Sequence, residues 1–260
     1  MNNSYDRIEI AKDWLPRYTG MQLDEFGDYI LLTNFDYYLR QFASKFNAVI
    51  KGVGKPMQAA TNANGLTIIN FGIGSANAAT IMDILLAKKP KGVLFLGKCG
   101  GLKQSTEIGH FILPIAAVRG DGTSNDYLPP EVPALPFFKL HKFVSNQMVE
   151  RGLDYRTGVI YTTNRRLWEH DLEFRKRLEQ LTCIGIDMET ATLFIVGHYN
   201  QIARGALLLV SDVPITPDGV KTAESDKEVT SKWADLHLDI GIEAMTRIGD
   251  AGEQIRHFQY

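Results

Sequence analysis

Cysteine is scarce in this chain. Only Cys99 and Cys183 stand among 260 residues, too few and too far apart for a disulfide framework or a zinc site, so a reducing compartment is expected. No apolar run approaches the ~18–20 residues of a membrane-spanning helix. The opening Met1-Asn2-Asn3-Ser4-Tyr5-Asp6-Arg7 lacks the basic-then-apolar order of a signal peptide, and a cytoplasmic location follows as the expectation. Neither sign of charge dominates: 28 Lys and Arg against 30 Asp and Glu leave −2, which removes the global electrostatic reason for nucleic acid or an anionic membrane as partner. A small molecule fits better. No repeat, linker or low-complexity stretch interrupts the chain, and with 45% hydrophobic residues it can bury one large core. A single domain over residues 1–260 is expected, with residues 1–27 as an N-terminal helical extension, and no metal or cofactor is expected.

What is present is an alternation of strand-like and helix-like segments. Ile10, Trp14, Leu15 and Tyr18 lie at helical spacing and stop between Pro16 and Gly20, which predicts a short first helix. An extended run at 28–34 leads into residues 36–46, where Tyr38, Leu39, Phe42 and Phe46 suit a helix. Asn64-Gly65 before Leu66-Thr67-Ile68-Ile69-Asn70-Phe71 predicts an antiparallel hairpin, followed by a helix over 80–87. Val93-Leu94-Phe95-Leu96 has the unbroken apolarity of a buried strand. Residues 108–114 and 116–119 read as an extended pair, and 120–136 as a long loop of turn formers. Helix over 138–151, strand over 158–163, a charged surface helix to 181, helix over 193–199, strand over 205–212 and a closing helix over 231–248 complete the pattern. The alternation predicts an α/β fold with a central mixed, twisted β-sheet flanked by helices.

Chemistry concentrates where these strands end. Gly72-Ile73-Gly74-Ser75 is a glycine turn before a helix, a place where backbone N–H groups hold anions, although it lacks the third glycine and downstream acid of a dinucleotide fingerprint. In Gly97-Lys98-Cys99-Gly100-Gly101, three glycines surround one cation after a buried strand, as in the binding crevice of an open α/β sheet. Asp187-Met188-Glu189-Thr190-Ala191-Thr192 sets two carboxylates at the end of a short apolar run, where an unpaired charge is costly unless something binds it. The other reading is a helix start with acids at the positive end of its dipole. Val210-Ser211-Asp212 closes the 205–212 run with another acid.

These strand-end motifs, in this order, resemble the nucleoside phosphorylase and nucleosidase superfamily, which includes the hexameric purine nucleoside phosphorylases. Within it the chain is most similar to the AMP nucleosidases, through Leu128-Pro129-Pro130-Glu131-Val132-Pro133, Thr162-Thr163 with Arg166 and Trp168, and the closing helix. The similarity runs from about Asp28 onward and corresponds to the catalytic part of the longer members; their regulatory domain has no counterpart here, so regulation by nucleotides is not expected to carry over. The resemblance implies cleavage of the N-glycosidic bond of AMP to adenine and ribose 5-phosphate in purine salvage, without cofactor, by a homohexamer built as a trimer of dimers.

By the same resemblance Asp212 is the acid facing purine N7, Glu189 accepts hydrogen bonds from the ribose hydroxyls, and Met188 packs on the sugar face. A carboxyl enclosed at the end of an apolar strand has a raised pKa, which suits proton donation near neutrality. The 5′-phosphate needs cations or backbone N–H groups. Arg40, Lys98, Arg119, Arg165, Arg166, the glycines around Lys98 including Gly100, and the Gly74-Ser75 turn are the candidates. By resemblance Arg40 and Lys98 stand where the related phosphorylases hold the attacking phosphate, with arginine at the second; lysine gives a point charge and no bidentate fork, so free phosphate, the 5′-phosphate of AMP and water are the alternative occupants. Trp168 is a candidate wall for adenine, with core packing as the equal alternative. Asp36 is the available water-activating base, since the early acidic cluster of the methylthioadenosine nucleosidases is missing. A phosphate-dependent purine nucleoside phosphorylase and a non-catalytic nucleotide sensor are the alternative readings.

Overall fold

The computed structural model describes residues 6–216 and 219–251. The outer ends of the expected 1–260 domain therefore lie outside the described residues. Helix α1 (Arg7–Thr19) begins where the Asp6 side chain accepts from the Ile8 N–H and stops at Gly20, whose φ of 72° only glycine adopts readily. Strand β1 (Tyr29–Thr33), helix α2 (Asp36–Phe46) and the antiparallel hairpin β2 (Gln58–Thr61) and β3 (Leu66–Asn70) follow as the patterns predict. Helix α3 (Ser75–Ile84) starts earlier than expected, directly after the glycine turn.

The strand β4 (Gly92–Gly101) is ten residues long and buried throughout. The glycine cluster expected to turn after it is instead the second half of the strand, with a bulge between Cys99 and Gly100. The expected pair at 108–119 is likewise one strand, β5 (Phe111–Gly120), whose register shifts between Pro114 and Ala116; proline donates no N–H, so the ladder slips there instead of ending. After β5 come α4 (Phe138–Glu150), β6 (Tyr155–Thr163), α5 (Leu172–Gln180), β7 (Gly185–Asp187), α6 (Thr190–Tyr199), β8 (Arg204–Asp212) and α7 (Ala223–Asp250). The last helix starts eight residues before the expected 231, because Thr222 and Ser225 cap it reciprocally, each side chain accepting from the other's N–H.

The eight strands form one mixed sheet in the order β2-β3-β1-β4-β7-β6-β5-β8, and β8 also pairs with β4. The last five positions thus close into a small barrel, with β1, β3 and β2 as a wing off β4; the sequence pattern predicts the mixed sheet but not the closure. One apolar core packs α1, α3 and α6 on one face, through residues such as Leu15, Met82 and Phe194. A second packs α2, α4 and α7 on the other, through Phe42, Val144 and Leu238. Helix α6 is apolar all round and buried from Thr190 to Gly197, so it is a core element wedged between sheet and α3. No described helix is long and apolar enough to cross a membrane.

Candidate active site

Strand β4 changes neighbours along one edge. It pairs with β1 up to Thr33–Leu96 and with β7 from Gly100–Ile186, while β8 follows its other edge from Val93 to Gly100. Around Gly97–Cys99 the chain leaves both neighbours, Asn34-Phe35 from β1 and Met188-Glu189 from β7. A crevice opens at this divergence, as it does where strand order switches in open α/β sheets. Its walls are Lys98, Cys99 and Gly100 of β4, Met188 and Glu189, Thr163 at the end of β6 with Arg165, Arg166 and Trp168 beyond it, and Ser211 and Asp212 at the end of β8 with Pro214 and Lys221 beyond it. A Cβ at Gly100 would lie 3.0 Å from Pro214 and 3.2 Å from Ile186, so glycine keeps this floor flat.

The Asp187-Met188-Glu189 motif is held by its surroundings in two different ways. Asp187 accepts from Thr162 Oγ1 at 2.7 Å, from Thr190 Oγ1, and from the Thr190 N–H at 2.8 Å, so it caps α6 locally, in line with the helix-start reading. Glu189 turns to the crevice and accepts from the Gly74 N–H at 2.8 Å, from the Met188 N–H at 3.2 Å and from the Asn34 side chain. Burial, with the Asp187 carboxylate beside it, pushes Glu189 up to about 8. Asp187 is raised as well by burial, against hydroxyl and N–H donors from Thr162, Thr190 and Glu189.

The glycine turn serves this motif instead of offering an open anion loop, which corrects the expectation for Gly74 and Ser75. The Gly74 N–H is spent on Glu189, and the Ser75 hydroxyl donates to the Met188 carbonyl at 2.7 Å. Gly74 sits at φ 94° and ψ 162°, a conformation open essentially only to glycine, and that geometry aims its N–H at the carboxylate.

Asp212 ends β8 in the crevice wall. Burial raises its pKa; the Ser211 hydroxyl donates to it at 2.6 Å, and Lys221 and Arg166 pull the other way without prevailing. The direction matches what a carboxyl closing an apolar strand should show.

The predicted cations divide. Lys98 lines the crevice floor, and burial lowers its pKa against the attraction of Asp226. Its ammonium donates to Asp226 Oδ1 and Thr230 Oγ1, each at 2.8 Å, and lies 4.6 Å above the Phe35 ring. Arg165 and Arg166 stand at the rim, paired with Asp171 and Glu169. Arg119 is a correction. All five of its N–H donors go to Ser124 Oγ and to the carbonyls of Ser124, Leu128, Pro129 and Val132, so it organises the 120–136 loop and has none left for phosphate. Arg40 stands apart from the crevice of its own chain, on the outer face of α2 in an i,i+4 pair with Asp36, its side chain 74% exposed. Asp36, its partner, does not line the crevice either.

Trp168 lines the crevice while packed into a small core with Leu178, Cys183 and Ile186, edge-on to Phe174 at 5.7 Å. Several contributors carried no signal in the sequence pattern. Asn34 offers a buried Oδ1 without a partner among the described residues, and Lys221, Asp226 and Thr230 come from beyond β8. Only the strand-end position of Asn34 pointed to it. Among the described residues no cluster of three His, Cys, Asp or Glu fit to hold a metal occurs.

The sequence model of the Phosphorylase superfamily matches residues 29–246. The AMP nucleosidase of Escherichia coli K12 is 27% identical over 294 residues, covering 96% of this chain, which spans 60% of that relative's length. The guanosine phosphorylase of Halorubrum lacusprofundi is 27% identical across 70% of this chain and 74% of its own. A crystal structure of AMP nucleosidase from Bacteroides thetaiotaomicron superposes with a TM-score of 0.84 at 50% identity, covering 95% of this chain and 99% of that one. Uridine phosphorylase from Vibrio fischeri shares the fold at 19% identity, with a TM-score of 0.77 over 86% of this chain and 94% of its own. With the family's pattern running through the sheet, the crevice and α7, this chain belongs to the phosphorylase superfamily.

Proposed function

We propose that this chain hydrolyses the N-glycosidic bond of AMP, releasing adenine and ribose 5-phosphate. The observation that carries the reading is the pairing, in one crevice, of a half-buried Asp212 with raised pKa and a buried Glu189 held by the Gly74 and Met188 N–H groups. Asp212 gives a proton to the departing purine at N7, and Glu189 accepts the ribose hydroxyls while Met188 packs against the sugar. Pushing up an acid's pKa keeps its proton available near neutrality, which is what a leaving base requires. Lys98 and the Gly100 backbone form the floor, Trp168 the wall beside the base, and Arg165 and Arg166 the rim toward the 5′-phosphate. The likeness to AMP nucleosidases over nearly the whole chain supports this substrate over a free nucleoside.

Purified protein incubated with AMP or adenosine, each with and without inorganic phosphate, tests the reading. Adenine released from AMP without phosphate is expected. Release from adenosine only when phosphate is present means a nucleoside phosphorylase instead, and no release from either means a binding protein. The reading includes a cytoplasmic homo-oligomer, a hexamer arranged as a trimer of dimers. An apolar groove of Ile115, Leu135 and Phe138, all exposed, supports association, and sedimentation velocity measures it.

A further inference from the structure

The crevice floor holds two ammonium groups that converge on one oxygen. Lys98 Nζ lies 2.8 Å and Lys221 Nζ 2.9 Å from the same Oδ1 of Asp226. Both cations also approach the Phe35 ring, at 4.6 and 5.8 Å. Burial pushes Asp226 up, but the hydrogen bonds and charges of the two lysines outweigh it and hold the carboxyl below its ordinary range. It is therefore ionised whenever the lysines are charged. Its place is fixed as well, since it sits in the first turn of α7 behind the Thr222–Ser225 cap, where the helix dipole favours an anion.

The rim is built differently. Arg165 and Arg166 carry carboxylate partners too, but these side chains are 45% and 57% exposed, whereas Lys98 is 3% exposed. Exposed pairs are worth little and exchange partners readily. Displacing Asp226 from the floor would strand a half-buried carboxylate beside the incoming anion.

We propose that Asp226 is a resident anion that occupies the floor cations and bars inorganic phosphate from them, so that water and not phosphate reaches the sugar. The inference rests on the glycosidase reading above and makes Asp226 a specificity-determining residue for the nucleophile. In both reactions the bond from C1′ to the purine nitrogen breaks and its electron pair leaves with the base. In hydrolysis water adds its hydroxyl oxygen to C1′ and its remaining proton balances the one taken up by adenine. In phosphorolysis a phosphate oxygen adds to C1′, yielding a ribose 1-phosphate ester, and the proton comes from hydrogen phosphate. Phosphate needs cations beside the sugar that no resident anion holds, and here both floor lysines are in contact with the one Asp226 carboxylate, which halves the positive charge they offer.

Calorimetry with inorganic phosphate alone tests this on the intact protein, with no turnover required. The native chain and Asp226→Glu, which keeps the charge, should bind phosphate weakly. Asp226→Asn and Asp226→Ser, which remove the charge, should bind it at least about tenfold more tightly. With AMP as substrate, added phosphate should leave adenine release by the native chain unchanged. In the two neutral variants it should inhibit release or appear in a ribose 1,5-bisphosphate product. Equal phosphate affinity in the native and neutral chains overturns the proposal, as does phosphate-stimulated cleavage by the native chain. If the native chain releases no adenine at all, the glycosidase reading fails, while the phosphate affinities still decide whether Asp226 excludes the anion.

Discussion

The two sides of the crevice treat charge in opposite ways. On the acid side, the buried Glu189 and the half-buried Asp212 have hydroxyl and N–H donors but no cation in contact, and both are pushed up. On the basic side every cation has a carboxylate: Lys98 and Lys221 share Asp226, Arg165 takes Asp171, and Arg166 takes Glu169. The difference shows how one cleft keeps the pKa of its acids raised within reach of lysines and arginines. An opposite charge in contact favours ionisation of a carboxyl, so Lys221 bound to Asp212 would cancel the effect of burial. Held on Asp226, Lys221 pulls Asp212 down only from a distance. The carboxylates on the basic side thus leave burial to set the direction of the shift on the acid side.

Removing an acid should have the largest effect. Asp212→Asn keeps shape and the Ser211 contact but carries no transferable proton, so kcat for adenine release should fall by about 10²–10⁴ with AMP affinity kept, as single-turnover rates and calorimetry would measure. A variant turning over at near-native rate breaks the comparison. Glu189→Gln comes next. It removes charge-assisted acceptance from the sugar hydroxyls, each worth roughly 1.5–3 kcal/mol, so KM should rise by about 10–100-fold. Because the ionised form accepts best, affinity for a ribose-bearing ligand in the native chain should climb with pH toward about 8 and become flat in the variant.

Much of this acid side was legible in the sequence, and little of the basic side was. Asp212 follows an apolar run that can only be a buried strand, and Glu189 starts a helix too apolar to face water, so local pattern alone places both carboxyls at strand ends. Arg119 and Arg40 look like phosphate ligands by residue type. The i,i+4 spacing from Asp36 does announce the helix pair of Arg40, whereas no pattern near Arg119 reveals that it feeds a ring of loop carbonyls. Asp226 lies 128 residues from Lys98, and only the path of α7 back across the sheet brings them together. Barrel closure escaped for the same reason: it depends on the pairing of β4 with β8, and pairing partners leave no periodic mark.

Arg119 sharpens the comparison from outside the crevice, as a cation satisfied by carbonyls and not by carboxylates. Arg119→Ala leaves those loop oxygens without their donors and should cost about 2 kcal/mol of stability in a denaturant titration. Loss of AMP binding without loss of stability would return Arg119 to the phosphate site.

The smallest expected effect tests the proton that the acid side holds. Glu189 is raised from 4.5 to about 8, so between those values the folded chain keeps a proton that the unfolded chain has released. Folding stability must then decline as pH rises through this window and level off above about 8, the reverse of an ordinary salt-bridged carboxylate. Asp212, raised by burial too, adds to the decline in the same direction. Between pH 7 and 8 the loss assigned to Glu189 should be about 1 kcal/mol, seen as a falling Tm. Glu189→Gln cannot titrate and should remove most of that slope. A slope equally steep in the variant would mean the proton sits elsewhere in the fold, and the contrast between the two walls would lose its acid half.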